Sequence, residues 1–437
     1  MKKDSKKEPG FLIYSLGCKV NQYDSSFLRH KLENIGFKYS LKKPELVIIN
    51  TCSVTKSAIS KDRQLFNRLN KKFPKAKFVI MGCWPETDKE ANKSESFINK
   101  KDIYFWGVGK HNLLIDEIIT LFPDSKFNLK NRDNSKVVST DRSRYFLKIG
   151  DGCNQFCSYC IIPYARGRLK SRSSREIIKE ANEAINKGYK EIILTGIHLG
   201  QYGEDKEGKE LNLAKLLQEL LKIDDKTRYR LSSIEVNEVS DELIKLMKSE
   251  KQICPHLHIS LQSGSNKILK LMNRPYTKEE FIERVEKLRK NIPDIAISTD
   301  IIVGFPGETI KDFQESYEFA KKIKFSKVHV FSYSPHEKTA SYKFPNKVSI
   351  LEIKERSKKL RELSEELEKK YQEKILKKYK DKKLEVIVEK KGKIIKGMTK
   401  YSFSIDLKEY NVKSNIKAGK LKSGEIIKKV YTQIKSI

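Results

Sequence analysis

Tyr145-Phe-Leu-Lys-Ile-Gly-Asp-Gly-Cys153-Asn-Gln-Phe-Cys157-Ser-Tyr-Cys160 is the stretch on which the fold turns. An aromatic and apolar run, a Gly-Asp-Gly break and a C-x₃-C-x₂-C run read as a strand feeding a tight thiol-bearing loop. Three thiolates so spaced can hold three irons of a cubane cluster and leave the fourth iron open to chelate a small ligand. A structural zinc site wants a fourth Cys or His at matching spacing, and none follows closely. Zinc and three coincidental core cysteines remain as alternatives.

Working outward, strand candidates recur at 145–150, 190–195, 229–235, 256–262, 296–303 and 327–333, with helical patterns between them. Six βα units predict a partial (β/α)₆ barrel whose site faces the carboxyl ends of the strands. Upstream, Phe11–Leu16, Leu46–Asn50 and Phe78–Met81 read as buried strands, and Phe27–Ile35 and Ile59–Asn70 as helices. This predicts a second α/β domain with a parallel sheet. Cys18, Cys52 and Cys83 each follow one of those strands, so the topology brings three more thiols to one sheet edge.

Residues 124–143 read as a linker. Within the polar segment 350–379, Leu360, Leu363, Leu367, Tyr371 and Ile375 form one stripe, which predicts an amphipathic helix against the barrel. From Leu384 onward, Val and Ile runs broken by Gly turns predict a small antiparallel β-barrel. The expected division is 10–130, 140–350, a linker helix at 351–372, and 373–437.

The 437 residues are 38% hydrophobic and 34% charged, with a formal charge of +33. Such a charge points to a polyanionic partner, although 73 of the basic residues are Lys, which genomic composition alone can produce. Residues 369–437 carry 21 basic and 7 acidic side chains. That concentration argues for a nucleic-acid-binding β-domain over a Lys-decorated structural cap. A charged N-terminus, no long apolar run and seven cysteines predict a soluble cytoplasmic chain with no membrane partner, its thiols serving as metal ligands or nucleophiles.

At Cys153, Cys157 and Cys160 the chain resembles the radical S-adenosylmethionine (SAM) superfamily. Gly17-Cys18-Lys19-Val20-Asn21-Gln22, Asn50-Thr51-Cys52 and Gly82-Cys83 resemble the N-terminal domain of its methylthiotransferases, and the basic tail resembles their tRNA-binding TRAM domain. Thr195–Gly200, His256–Gly264 and Asp300–Glu308 extend the resemblance across residues 11 to 437. The stretches Leu16–Tyr23, Ile161–Arg168 and Leu194–Gly203 look most like the MtaB branch, with Gln201 a departure.

The resemblance implies two 4Fe–4S clusters, one on Cys153, Cys157 and Cys160 and an auxiliary one on Cys18, Cys52 and Cys83, with Tyr159 packing near SAM; Ser233 and Glu235 end another strand, where they suit SAM contacts or a plain strand-end salt bridge equally. It implies that SAM serves twice, as methyl donor and radical source, in methylthiolation of C2 of N6-threonylcarbamoyladenosine beside the tRNA anticodon. The implied partners are a tRNA anticodon stem-loop, an external electron donor and a sulfur source, with no DNA. Alternatives are N6-isopentenyladenosine as substrate, a ribosomal-protein aspartate as substrate, and a non-catalytic iron–sulfur RNA-binding regulator.

Other residues carry weaker signals. Cys254 reads as a buried structural thiol. His256 and His258 share one strand face and suit either packing or a metal. Glu308 reads as a turn residue before a helix. Arg166, Arg168, Arg172 and Arg175 crowd behind the thiol loop, able to grip phosphate or carboxylate, or to form a solvated helix start.

Overall fold

The computed structural model describes residues 8–88, 102–131, 143–206, 211–380, 382–391, 394–407 and 423–430. Most of the expected linker and much of the basic tail lie outside the described residues.

The N-terminal region runs β1 (Gly10–Ser15), α1 (Lys19–Ile35), β2 (Lys38–Tyr39), β3 (Leu46–Thr51), α2 (Lys56–Lys72), β4 (Lys77–Gly82), α3 (Cys83–Thr87), β5 (Ile103–Trp106) and α4 (His111–Thr120). Its strands form one sheet in the order β2-β1-β3-β4-β5, every pairing parallel. β3 is buried at every residue, as a parallel strand covered on both faces must be. Leu28, Leu32 and Ile35 of α1 pack one face with Ile115 and Ile118, while Leu65, Phe66 and Leu69 of α2 pack the other with Trp84.

Helix α1 starts at Lys19, well before the expected Phe27. Its first turns lack an apolar stripe because Asn21, Asp24 and Ser25 are buried polar residues satisfied by hydrogen bonds and ion pairs. Hydrophobic periodicity cannot register such a face.

The central region comprises β6 (Tyr145–Lys148), β7 (Gly150–Asp151), α5 (Ile162–Arg166), β8 (Lys170–Ser171), α6 (Ser174–Asn186), β9 (Glu191–Thr195), α7 (Leu213–Leu221), β10 (Arg228–Leu231), β11 (Ser233–Ile234), α8 (Asp241–Ser249), β12 (His256–Ile259), α9 (Asn266–Leu271), α10 (Lys278–Asn291), β13 (Ala296–Val303), α11 (Ile310–Ile323) and β14 (Lys327–Ser332). Strands β10-β9-β6 form one parallel sheet and β11-β12-β13-β14 another, and the bridge between Tyr229 and Ile253 spans the gap. The strand expected at 229–235 is interrupted at Ser232. The one expected at 145–150 ends at Lys148, after which β7 turns to pair antiparallel with β8. Gly152 closes that turn: its φ is +68°, and a Cβ there would sit 2.0 Å from the Arg168 carbonyl.

Helix α12 (Ile350–Lys378) starts in a capping box, Ser349 with Glu352, and continues past the expected end at 372. It does so because Ile375 and Leu376 in its last turns are core residues of the C-terminal sheet, packed with Leu384, Val386 and Ile405. That sheet is antiparallel, in the order β17 (Ser404–Asp406), β16 (Ile394–Thr399), β15 (Lys383–Lys391) and β18 (Ile426–Val430). Among the described residues, no helix is long and apolar enough to cross a membrane.

Candidate functional site

Because β1, β3 and β4 are adjacent and parallel, their carboxyl ends lie side by side. Cys18 caps α1 behind β1, Cys52 directly follows β3, and Cys83 opens α3 behind β4. Asn21 stitches these ends, its Nδ2 donating to Leu16 O at 2.9 Å and to Thr51 O at 2.8 Å. Gly17, at φ +90°, admits the close approach, since a Cβ there would lie 2.7 Å from the Cβ of Cys52. Burial pushes the Cys52 thiol up to about 12 and the Cys83 thiol up to about 11, and the neighbouring Cys18 adds to both.

The second triplet sits on a loop held by its surroundings. The Cys153 amide donates to Gly167 O at 3.1 Å, Ser158 donates from its amide to Met272 O and from its hydroxyl to Leu271 O, and Asn273 Nδ2 donates to Phe156 O. Phe156 is left-handed, at φ 49°, with the Arg168 guanidinium 4.4 Å from its ring centre. Burial raises Cys160 to about 12 and also raises Cys157, with the neighbouring thiols adding to both.

All seven cysteines are free. Among the described residues, no three His, Cys, Asp or Glu side chains close tightly enough for one metal ion. A four-iron cube spreads its thiolates over separate corners and needs a wider set. Two triplets of unbridged thiols, each at the mouth of parallel strands and close enough to interact electrostatically, fit that requirement. Cluster loading must expel the thiol protons that burial retains.

Two residues without an assigned role in the sequence contact the loop thiols. His198 Nδ1 lies 3.2 Å from Cys153 Sγ, and its Nε2 lies 2.5 Å from Glu238. Burial opposes protonation of His198, but its bonds to Cys153 and Glu238 prevail and push it up to about 10. Arg274 Nη1 lies 3.2 Å from Cys157 Sγ and 2.7 Å from Glu235. His198 belongs to a recognisable stretch, Thr195–Gly200. Arg274 has no local signal, because only tertiary folding carries it to Cys157, 117 residues away.

Of the expected SAM contacts, Tyr159 packs edge-on against Phe305, Ser233 lines a cavity, and Glu235 is buried and paired with Arg274. Arg166 and Arg172 do not form a free anion grip. Arg166 is buried against Asp24, Asp151 and Asn21, and Arg172 pairs with Glu180 at 2.7 Å. Arg168 covers Phe156, and Arg175 is exposed. His256 and His258 do share a face, both bonding the Ser298 hydroxyl. Cys254 is fully buried. Glu308 accepts from the Gly304 amide and pairs with Arg356 of α12 at 2.8 Å.

A cavity of about 690 Å³ is lined by Cys18, Lys19 and Ile162 and also by Tyr401–Phe403, the turn between β16 and β17. Ser232, Ser233, His256, His258, Ser298 and Asp300 line it as well. A space of this volume, with charged and apolar groups in its lining and Cys18 at its edge, can take a substrate larger than a free amino acid.

Sequence relatives agree with this architecture. The Radical SAM superfamily matches residues 147–320, and Uncharacterized protein family UPF0004 matches residues 10–104. The threonylcarbamoyladenosine tRNA methylthiotransferase MtaB of Bacillus subtilis (strain 168) is 38% identical over 372 residues, 82% of this chain and 81% of the relative. This chain belongs to the radical SAM methylthiotransferase family. The Thermotoga maritima protein of the same description is 37% identical over 82% of each chain. A tRNA-2-methylthio-N(6)-dimethylallyladenosine synthase of Thermoanaerobacter sp. (strain X514) is 36% identical over 81% of this chain and 78% of its own. Among solved structures, the radical SAM methyltransferase TsrM of Kitasatospora setae aligns with a TM-score of 0.57 at 14% identity, covering 77% of each chain, which shows a common fold. As a methylthiotransferase, this enzyme has its two thiol sets on the two regions that the family matches cover.

Proposed function

We propose that this enzyme methylthiolates C2 of N6-threonylcarbamoyladenosine in the anticodon loop of tRNA. The observation that carries the reading is the cavity beside Cys18, which brings Lys19, His256, His258, Ser298 and Asp300 around one space next to the N-terminal thiols. Its His, Ser, Asp and Lys lining suits a charged, hydrogen-bonding substituent better than the dimethylallyl group named for the 36%-identical relatives.

Cys153, Cys157 and Cys160 would hold the SAM-binding cluster, and Cys18, Cys52 and Cys83 the auxiliary one. When bound, the two 4Fe–4S clusters and SAM supply the methylated sulfur and the 5′-deoxyadenosyl radical that removes hydrogen from C2. The protein's part is placement. Arg274 and His198 support two loop sulfurs, Tyr159 and Ser233 bound the SAM space, and Arg166 joins the two regions through Asp24 and Asn21.

The six βα units form a partial barrel in this reading, and the basic C-terminal sheet acts as a TRAM-type domain giving salt-dependent grip on the tRNA backbone. An unpaired loop lets the target base leave its stack and enter the cavity. The enzyme works in the cytoplasm with an external electron donor and a sulfur source, and takes no DNA.

Nucleoside mass spectrometry of tRNA from cells with and without the gene tests this. Loss of 2-methylthio-N6-threonylcarbamoyladenosine, with its precursor accumulating, is expected. Loss of the isopentenyl derivative instead would move the substrate, and an unchanged tRNA profile would overturn the reading.

A further inference from the structure

The wall of the cavity beside Cys18 is chemically specific, and it concerns the substrate proposed above, on which this inference rests. Lys19, directly after Cys18, lines the cavity and is exposed to its lumen. Among the described residues it has no ion-pair partner. Arg144 and Arg230 repel it, and Cys18 and, more weakly, Asp300 attract it. The other charges nearby are committed: Arg230 to Glu191 and the Thr399 carbonyl, Asp300 to His258 at 3.0 Å, and Lys327 to Glu368. Lys19 is therefore a cation still short of an anion.

Two more polar atoms in the same wall lack partners among the described residues. They are His256 Nδ1 and Ser232 Oγ, on residues 7% and 5% exposed. Leaving such atoms unsatisfied is costly, so three unpartnered polar groups around one lumen call for a ligand that satisfies them. That ligand is an anion with further hydrogen-bonding groups; a hydrocarbon would leave all three unpaired.

Adenine's own geometry says which part of the substrate arrives there. The N6 substituent hangs from C6, separated from C2 by a single ring nitrogen. With C2 at the sulfur of an auxiliary cluster held by Cys18, Cys52 and Cys83, that substituent would come within reach of the cavity that Lys19 lines. The threonylcarbamoyl group ends in a carboxylate and a hydroxyl.

We propose that Lys19, with His256 and Ser232, receives the carboxylate and hydroxyl of the N6-threonylcarbamoyl group and thereby selects it over an uncharged substituent. The test uses cluster-loaded wild type, Lys19→Gln and Lys19→Arg, with iron content measured for each. The probes are three anticodon stem-loops bearing N6-threonylcarbamoyladenosine, its methyl ester and N6-dimethylallyladenosine. Binding is read by fluorescence anisotropy, and kcat and KM by mass spectrometry of the product.

Wild type should bind the acid roughly tenfold or more tighter than the ester, the value of one charge-assisted hydrogen bond. Lys19→Gln should bring the acid down to the ester's level through KM while leaving the ester little changed, and Lys19→Arg should keep part of the preference. Equal losses on acid and ester in Lys19→Gln, or equal binding of both by wild type, would overturn the assignment while leaving the reaction intact. Wild-type turnover of the dimethylallyl stem-loop alone would overturn the proposed substrate and this assignment together.

Discussion

Asp24 of α1 and Arg166 of α5 meet at 3.1 Å across the boundary between the two thiol-bearing regions. Arg166 also lies 2.5 Å from Asn21 Oδ1, and Lys148 lies 2.8 Å from the other Asp24 oxygen. Burial alone would raise the Asp24 carboxyl, but Lys148 and Arg166 overcome it and hold the group well below the usual carboxylate range. Removing one member of a buried pair strands the other charge, at about 3–5 kcal/mol. Arg166→Gln should lose that much stability in denaturant unfolding at pH 7. Because the folded pKa is the lower one, the contribution is full above about pH 4 and fades as pH falls below it. The gap between wild type and Asp24→Asn should accordingly narrow in acid.

Glu191 is fully buried between Arg228, at 2.5 Å, and Arg230, at 2.9 Å. Both arginines also reach carbonyls of the C-terminal sheet, Met398 O and Thr399 O, and Arg144 links Glu191 to Glu389. Glu191→Gln should leave Arg230 without a carboxylate and take one of two from Arg144 and from Arg228, lower stability by about 3–5 kcal/mol and loosen the C-terminal sheet. Limited proteolysis should then cut near 380 sooner than in wild type; unchanged cleavage would mean that the sheet docks without this carboxylate.

Separate ligand sets should give separable losses. Cys157→Ala and Cys52→Ala should each retain about half of the wild-type iron. Cys157→Ala should abolish SAM cleavage and product together, whereas Cys52→Ala should still cleave SAM without forming product. A folded Cys52→Ala protein that cleaves no SAM would break this division.

An aromatic rim lies beside the thiol loop. Tyr164 is 46% exposed and edge-on to Phe156, which carries Arg168, and the adjoining groove of about 540 Å³ is lined by Trp106 and Lys110. Exposed rings among cations suit unstacked bases, and each stack is worth about 1–3 kcal/mol. Tyr164→Ala should weaken stem-loop binding by roughly tenfold without changing its salt dependence, whereas neutralising Lys110 should flatten the salt dependence.

What the sequence determined by itself is local. The three cysteines of the loop lie within eight residues, and their spacing alone presents them together. The thiols at 18, 52 and 83 were legible because each follows a buried parallel strand, whose apolar run is conspicuous and whose end faces a known edge. The beginning of α1 was not legible, since its buried face is polar, and polar residues look alike whether hydrated or paired inside. Nor could the sequence tell that Arg166 and Arg172 spend their charge on carboxylates, because a guanidinium reads as a potential anion grip until its partners are placed.

Tertiary structure alone decided which distant groups share a space. Arg274 reaches Cys157, Glu191 gathers two arginines of β10 and the one just before β6, and Lys19 enters a lumen with His256 and Ser232. Each meeting depends on how α1 and the barrel strands lie against one another. A charge's meaning is set by what surrounds it within a few ångströms, and residues two hundred positions apart acquire that neighbourhood only when the chain has folded.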